Sequence, residues 1–524
     1  MAAQRPASLL RYMACLALFE ASLFLFRRFY WGHGLIRLGL LAAMLAFVLA
    51  IRQSGMMRPV PARRPRRSML RPPGPAWLPA LLLLSFVAVV SLAGDFPWGH
   101  GVVRVGMAAL VGAFALALWR AGRAARRLRE GRVWQHLAAM VLVLLALQSV
   151  QTIVWAMAAA TRTDRMRLDE GRTTWRAVQA LRRGEDPYGS GVLIDSTAFR
   201  HRLAIREALG VGPHLPAAAV EPALQRYLAR PDPRLRRLLL PRPAAGASLA
   251  ARREVALMGY KYGPPPLLVT AALAPLVGSA AVPLADGLAC LGLFAAVGLA
   301  LLAAGSGAGG AIVAVVALML DPFISYFFLS YTATDVWPLA FGFAALACAL
   351  RRNDIGFGAA LALAASSKIM PGALFLLLLP VTRSWRAVRA CAITSTALFL
   401  PFVLWDPWGL LNNFVLWGAL MKPDTDSWVF GAPTDLVLAA RIVLAAGLGW
   451  LGLRLVLRRE RQVCVAFAVI TLLLLGGGAA FHNNYVPWFS IWVVLAIAET
   501  WAIPGAISAR LLARPPAGAI AGPS

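Results

Sequence analysis

The sequence predicts an all-α fold, a polytopic bundle of about 12–13 transmembrane helices carrying one long hydrophilic loop on the non-cytoplasmic side. Three observations lead there. The 524-residue chain is 60% hydrophobic and only 14% charged, with mean hydropathy +0.68, where a soluble chain would carry roughly 25% charged residues. Apolar runs of about 20 residues, long enough to cross a hydrocarbon core as helices, recur from end to end. Finally, basic residues collect in short loops between these runs, as in Arg63 to Arg67, Arg120 to Arg132, Arg458-Arg459 and Arg510 to Arg514, where Lys and Arg hold a loop in the cytoplasm.

That placement also accounts for the net charge of +29. A basic chain invites a nucleic-acid reading, but charge confined to loops between apolar spans serves topology and contact with anionic headgroups. No nucleic-acid partner is expected, and the lipid bilayer is. The five cysteines lie within apolar segments and form no close pair, so neither a disulfide framework nor a metal site is implied. The first apolar stretch lacks a cleavage site followed by a soluble domain and reads as a span, not a cleaved signal.

Residues 1–132 form an N-terminal module of four spans at 8–26, 34–52, 76–94 and 101–119. It contains an internal repeat: Phe29-Tyr30-Trp31-Gly32-His33-Gly34 returns as Phe96-Pro97-Trp98-Gly99-His100-Gly101. The unit is a two-helix hairpin, and both copies run the same way. The basic loops 53–75 and 120–134 read as cytoplasmic, which places the N-terminus in the cytoplasm and the two Trp-Gly-His-Gly turns outside.

The core comprises residues 133–505, followed by a cytoplasmic tail at 506–524. A fifth span at 135–160 exits into the non-cytoplasmic loop 161–263, which carries short amphipathic stretches such as Thr173 to Arg183. Loops of this length usually have a function. Apolar segments follow at 264–281, 283–303, 309–329, 331–350, 355–381, 388–405, 433–457, 462–480 and 485–503. With the basic loops inside, the parity does not close unless 264–281 or 355–381 is a half-span or helical hairpin. Broken helices at membrane depth are tolerated where they line a cavity.

Ionisable groups in or beside spans are expensive and mark candidate sites. Four motifs stand out. Leu168-Asp169-Glu170-Gly171 leads into Gly184-Glu185-Asp186-Pro187-Tyr188. Tyr260-Lys261-Tyr262-Gly263-Pro264-Pro265-Pro266-Leu267 opens a span. Ser366-Ser367-Lys368-Ile369-Met370-Pro371 puts a lysine in an uncharged stretch, and Phe481-His482-Asn483-Asn484-Tyr485-Val486-Pro487-Trp488 lies at an external span end.

In order, these motifs resemble the polyprenyl-phosphate-dependent membrane glycosyltransferases of the GT-C class, in particular glycosyltransferase family 87, a mannosyltransferase-like family. The resemblance spans 133–505. In that family an Asp follows an early span, a helix ends in Gly-x-x-Pro-Tyr, a Tyr-x-Pro-Pro-Leu segment opens a span, and a Lys-Pro break and a His/Tyr turn come late. Here the loop between Tyr188 and Tyr260 is longer, Lys368 stands three residues before its proline, and four extra spans precede the core.

The resemblance implies transfer of a hexose or pentose, mannose favoured, from a polyprenyl-phosphate sugar to a glycolipid or envelope-glycan acceptor. It also implies a bacterial cytoplasmic (inner) membrane, with the site on the outer, periplasmic side. Inverting transfer needs a carboxylate to take the acceptor hydroxyl's proton, and a leaving lipid phosphate needs cations or hydrogen-bond donors. Asp169 can serve as the base, and its position matches the family's catalytic Asp; Asp164 and Glu170 are the rival bases. Lys368, Arg172 and Lys261 can meet phosphate. His482, Asn483 and Tyr485 can meet phosphate or sugar hydroxyls, and Trp488 and Tyr188 can stack on a sugar.

Each residue also has a structural reading. Asp169 can cap a helix or pair with Arg167 or Arg172. Lys368 can snorkel from a helix end. Pro264 to Pro266 can set an extended lead-in to the span, with Tyr260 and Tyr262 as interfacial belt residues. Asp321 and Asp335 can serve packing or helix ends as readily as a cavity. No Gly-rich nucleotide loop and no Cys/His cluster appears, so a lipid-linked donor is expected, with no cofactor and no metal. Asp164, Asp169 and Glu170 still group at one face where a divalent ion would find ligands. Two other functions fit the spans: a transporter or flippase for a lipid-linked saccharide, and a non-catalytic envelope-assembly subunit.

Overall fold

The computed structural model describes residues 15–16, 19, 42, 44–53, 169–188, 260–321, 323–324, 327–328, 333–416, 434–457, 462–477 and 485–512. Most of the repeated N-terminal hairpins, the fifth span, residues 189–259 of the long loop and the tail beyond Leu512 lie outside these. The described residues are helical throughout their regular structure, with no strand among them.

Helix α1 (Asp169–Arg182) is amphipathic and fills the predicted Thr173–Arg183 stretch. Gly184, at φ 72, ends it in the left-handed region that glycine enters at no steric cost. Helix α2 (Pro264–Val277) follows an extended Gly263. Its three leading prolines sit in the first turn, where an N–H would have no helical partner and φ is already suitable. They start the helix, instead of extending the lead-in as expected. Gly278, at φ 61 and ψ −136, ends α2, and a 3₁₀ turn (Gly278–Ala280) leads into α3 (Ala281–Ala303).

Next come α4 (Ala308–Leu320), α5 (Val336–Leu350) and α6 (Asp354–Ser367). The sixth helix breaks at Lys368, whose φ −156 and ψ 128 are extended; α7 (Ile369–Phe375) and α8 (Leu378–Thr382) complete the segment. Then follow α9 (Trp385–Trp405), α10 (Pro407–Leu410) with a π-helical extension (Leu411–Leu416), α11 (Thr434–Val456), α12 (Val463–Gly477), α13 (Val486–Ile497) with a π turn (Ala498–Ala502), and α14 (Ala506–Leu512).

Among the described residues, two helical runs, Pro264–Ala303 and Trp385–Trp405, are long and apolar enough to cross a membrane; counting the pair Val486–Ala502 and Ala506–Leu512, bent by 101°, as one makes a third. The run at 309–329 stops being α-helical at Leu320 because the Asp321 carboxylate takes the backbone N–H groups of Phe323 and Ile324. Asp321 thus serves a helix end, and its second oxygen accepts Ser490 Oγ at 2.7 Å. Of the two segments expected to be broken, 355–381 is interrupted at Lys368, and α2 stops after 14 residues.

Helix α3 packs along α5, α5 along α6, and α6 along α9. On α3 Ala285, Ala289, Ala296 and Ala300 are buried together with Leu293, Phe294, Val297 and Leu301, while Leu288, Leu291, Leu299 and Leu302 face outward. Small residues on the buried face let helix backbones approach closely. Helix α9 exposes Ile393, Leu400 and Leu404 and carries Trp385 and Trp405 at its ends. Its 21 residues span about 32 Å, near the thickness of a hydrocarbon core.

The second group, α11 to α13, joins the first through aromatic rings. Trp492 on α13 lies 4.8 Å from Phe343 on α5, 5.6 Å from Phe375 on α7 and 4.4 Å from Phe467 on α12. Phe19 lies 6.3 Å, ring centre to ring centre, from Phe489 on α13, the helix that also carries Trp488.

Candidate functional site

The four motifs are far apart in sequence, and Lys368 brings parts of all of them together. Its ammonium lies 2.7 Å from Asp335 Oδ1 and 3.2 Å from Glu170 Oε1. It sits 5.3 Å from the ring centre of Tyr262, 5.3 Å from Tyr485 and 5.9 Å from Trp488. The helix break makes this possible. An extended residue between two helical segments puts its side chain into the bundle, where a snorkelling lysine would reach for water.

Glu170 and Asp335 are both buried. The second oxygen of Glu170 accepts the Thr334 backbone N–H at 2.6 Å and Thr334 Oγ1 at 3.0 Å. Helix α1 is thereby tied to the start of α5 and to the α6 break. Burying one cation between two carboxylates is costly unless the remaining lone pairs are satisfied, and Thr334 satisfies part of that need.

The floor is built from tyrosines. Tyr260 and Tyr262 are fully buried, which corrects their expected place in an interfacial belt. Tyr188 donates to the Tyr262 carbonyl at 3.0 Å and packs on Tyr260 and Phe402 with ring centres 5.4 Å away in each case. Tyr188 is thus a strut beneath the lead-in to α2, not a stacking surface within ring distance of Lys368. Gly263 N donates to the Ser367 carbonyl at 2.9 Å, and a Cβ built on Gly263 would lie 1.5 Å from the Ser366 carbonyl oxygen. Only glycine lets the lead-in touch the break. Gly263→Ala should push the two apart and destabilise the chain by about 3 kcal/mol or more, read as a lowered melting temperature. A change within 0.5 kcal/mol, the usual range of surface substitutions, would show that the contact does not matter.

Of the other expected residues, Lys261 lies 5.7 Å from the Tyr262 ring, and Trp488 is buried against Tyr485 with ring centres 4.5 Å apart. Asp169 is the first residue of α1, beside Glu170, and Arg172 follows on the same helix; their side chains lie outside the described residues, as do Asp164, His482 and Asn483. No group of three or more His, Cys, Asp or Glu that could hold a metal occurs among the described residues.

Asp286 was not among the expected residues. It is buried on α3 and accepts Trp337 Nε1 at 2.7 Å, two residues from Asp335 in the chain. The signal was visible in the sequence: an aspartate inside an otherwise uncharged span is a functional candidate by default.

Beside the site, Asp186 holds the turn that carries Tyr188, accepting the Tyr188 N–H at 2.9 Å. Burial first, and the neighbouring Asp406 carboxyl in addition, push its carboxyl up to about 6, against the pull of the Tyr188 N–H. Two charged carboxylates cannot donate to each other, and Asp186 Oδ2 has no other partner among the described residues. A pKa raised on folding makes the folded chain bind a proton more tightly. The stability is therefore present below the unfolded value near 4 and lost as pH rises through about 6. The wild type should gain stability between pH 7 and pH 5 relative to Asp186→Asn. The difference is on the order of 1 kcal/mol once screening of this partly buried group is allowed for. Parallel melting curves across that range would show that the pair carries no such linkage.

No protein-family model matches this chain, and neither a curated protein nor a solved structure matches it.

Proposed function

We propose that this chain is a membrane glycosyltransferase that moves a hexose or pentose, mannose favoured, from a polyprenyl-phosphate sugar to a lipid-linked or envelope-glycan acceptor, with inversion. The supporting observation is the meeting of Glu170, Tyr262, Asp335, Lys368, Tyr485 and Trp488 around one buried ammonium. Carboxylates beside aromatic rings suit a sugar: the carboxylates accept hydrogen bonds from hydroxyl groups and the rings cover the apolar C–H face. Asp169, next to Glu170 on the same helix, is the general base in this reading. It takes the acceptor proton as the bond between the anomeric carbon and the lipid phosphate breaks, and Lys261 and Arg172 are the cations offered to the leaving phosphate. The donor supplies the sugar, and no cofactor takes part. The site faces the non-cytoplasmic side of a bacterial cytoplasmic membrane.

The test is sugar transfer by purified chain in lipid, with labelled polyprenyl-phosphate sugars and a membrane lipid extract. Product from one donor supports the reading. Absence of product from every donor, with the protein folded, overturns it.

A carrier or flippase for a lipid-linked saccharide is the second reading. It is favoured by the helix broken at Lys368 and by buried carboxylates on α3 and α5, features that carriers use for coupling. Flux of labelled lipid-linked saccharide across vesicles without chemical change would select it. An assembly subunit would show neither transfer nor flux.

A further inference from the structure

Glu170 is held from two directions by a closed ring of contacts. Thr334 and Asp335 are chain neighbours at the entry to α5. Thr334 meets Glu170 Oε2 directly, donating its backbone N–H at 2.6 Å and its hydroxyl at 3.0 Å. Asp335 reaches the same residue through Lys368, whose ammonium lies 2.7 Å from Asp335 Oδ1 and 3.2 Å from Glu170 Oε1. The ring runs Thr334, Asp335, Lys368, Glu170 and back to Thr334. It ties together the entry to α5, the break after α6 and the first turn of α1.

That geometry decides what Glu170 can do. Its two side-chain oxygens take three buried donors, and the residue is only 5% exposed. A general base must come within hydrogen-bond reach of the acceptor hydroxyl, and these oxygens are already committed. The main chain is tied as well: the Glu170 carbonyl accepts Thr173 Oγ1 at 3.1 Å and Thr174 Oγ1 at 2.8 Å. Helix ends otherwise fray, whereas a reacting group has to be held within about 0.5 Å of its productive place. Asp169 is the residue immediately before Glu170 and the first of α1. Fixing Glu170 fixes the backbone that carries Asp169.

We propose that Thr334 and Lys368 are positioning residues: the ring they close on Glu170 anchors the first turn of α1 and so sets Asp169, the base of the proposed transfer. Glu170 is the tie, not the base. The role of Asp169 rests on the glycosyltransferase reading; the anchoring of α1 is measured without turnover.

Thr334→Val in the full chain in lipid nanodiscs is the test, because valine keeps the shape and the backbone N–H and removes only the hydroxyl. Per folded molecule, kcat for transfer from labelled polyprenyl-phosphate sugars should fall about ten- to a hundredfold with KM within about twofold, since a displaced base weakens the transition state and not donor binding. The amides of Thr173 and Thr174 bond back to residues 169 and 170 in a helix, and their hydrogen exchange should accelerate about tenfold. Thr334→Ser restores the hydroxyl and should return both readouts toward wild type. A lowered melting temperature with unchanged kcat per folded molecule, unchanged exchange in α1, or a loss that Thr334→Ser does not rescue would each overturn the positioning role and leave the enzyme reading in place. Full transfer by Asp169→Asn would overturn it too, as the base would lie elsewhere. A wild-type chain that transfers no sugar would remove the enzyme reading and the role of Asp169, and the exchange measurement alone would then decide whether the ring anchors α1.

Discussion

Lys368→Met should be the most damaging single substitution in the described core, lowering stability by about 3–5 kcal/mol. Methionine nearly matches the lysine in length, so little volume is lost. What changes is that Glu170 and Asp335, both buried and both bonded to this ammonium, lose their shared cation. Most of the cost is the unpaired charge, not a missing contact. The control follows from the same physics: Lys368→Met combined with Glu170→Gln and Asp335→Asn should recover most of the melting temperature, since a neutralised buried triad is often no less stable than a charged one. A single variant that melts with the wild type would mean that the carboxylates are solvated or paired elsewhere. A triple variant no better than the single would place the cost in packing around Tyr262 and Tyr485.

Asp169→Asn should leave stability within about 1 kcal/mol of wild type and reduce sugar transfer about 10²–10⁴-fold, the usual contribution of a positioned general base. The substitution is isosteric, so helix α1 should still start at the same residue. Glu170→Gln is the informative partner. It weakens the bond to Lys368 and should lower both stability and transfer, whereas a pure base would lower transfer alone. Full transfer by Asp169→Asn would move the base to Asp164 or Glu170. Loss of transfer together with a collapsed melting temperature would leave Asp169 a structural residue.

The helical, apolar character of the chain was legible because composition and 20-residue apolar runs are properties of the chain alone. The amphipathic helix at 169–182 was legible for the same reason. Lys368 was legible as an oddity, a charge in an uncharged stretch. Its partners were not, since Glu170 lies 198 positions away and Asp335 lies 33 away. Tyr262 was misplaced at the membrane interface because an aromatic residue before an apolar run looks the same whether the run begins at the lipid surface or inside the bundle. Asp286 is legible only as a charge inside an apolar run; its indole partner Trp337 lies 51 positions away.

The sequence by itself determined that this protein is built of apolar helices and that a few ionisable residues stand where lipid or protein interior would make them costly. Each follows from the free energy of moving side chains out of water, which depends on residue type and local order. Only the tertiary structure decided that Lys368 points inward at a helix break and that two carboxylates and three rings surround it. Those outcomes depend on which helices pack together, and in a membrane, packing is chosen by small residues and buried polar contacts between segments far apart in the chain.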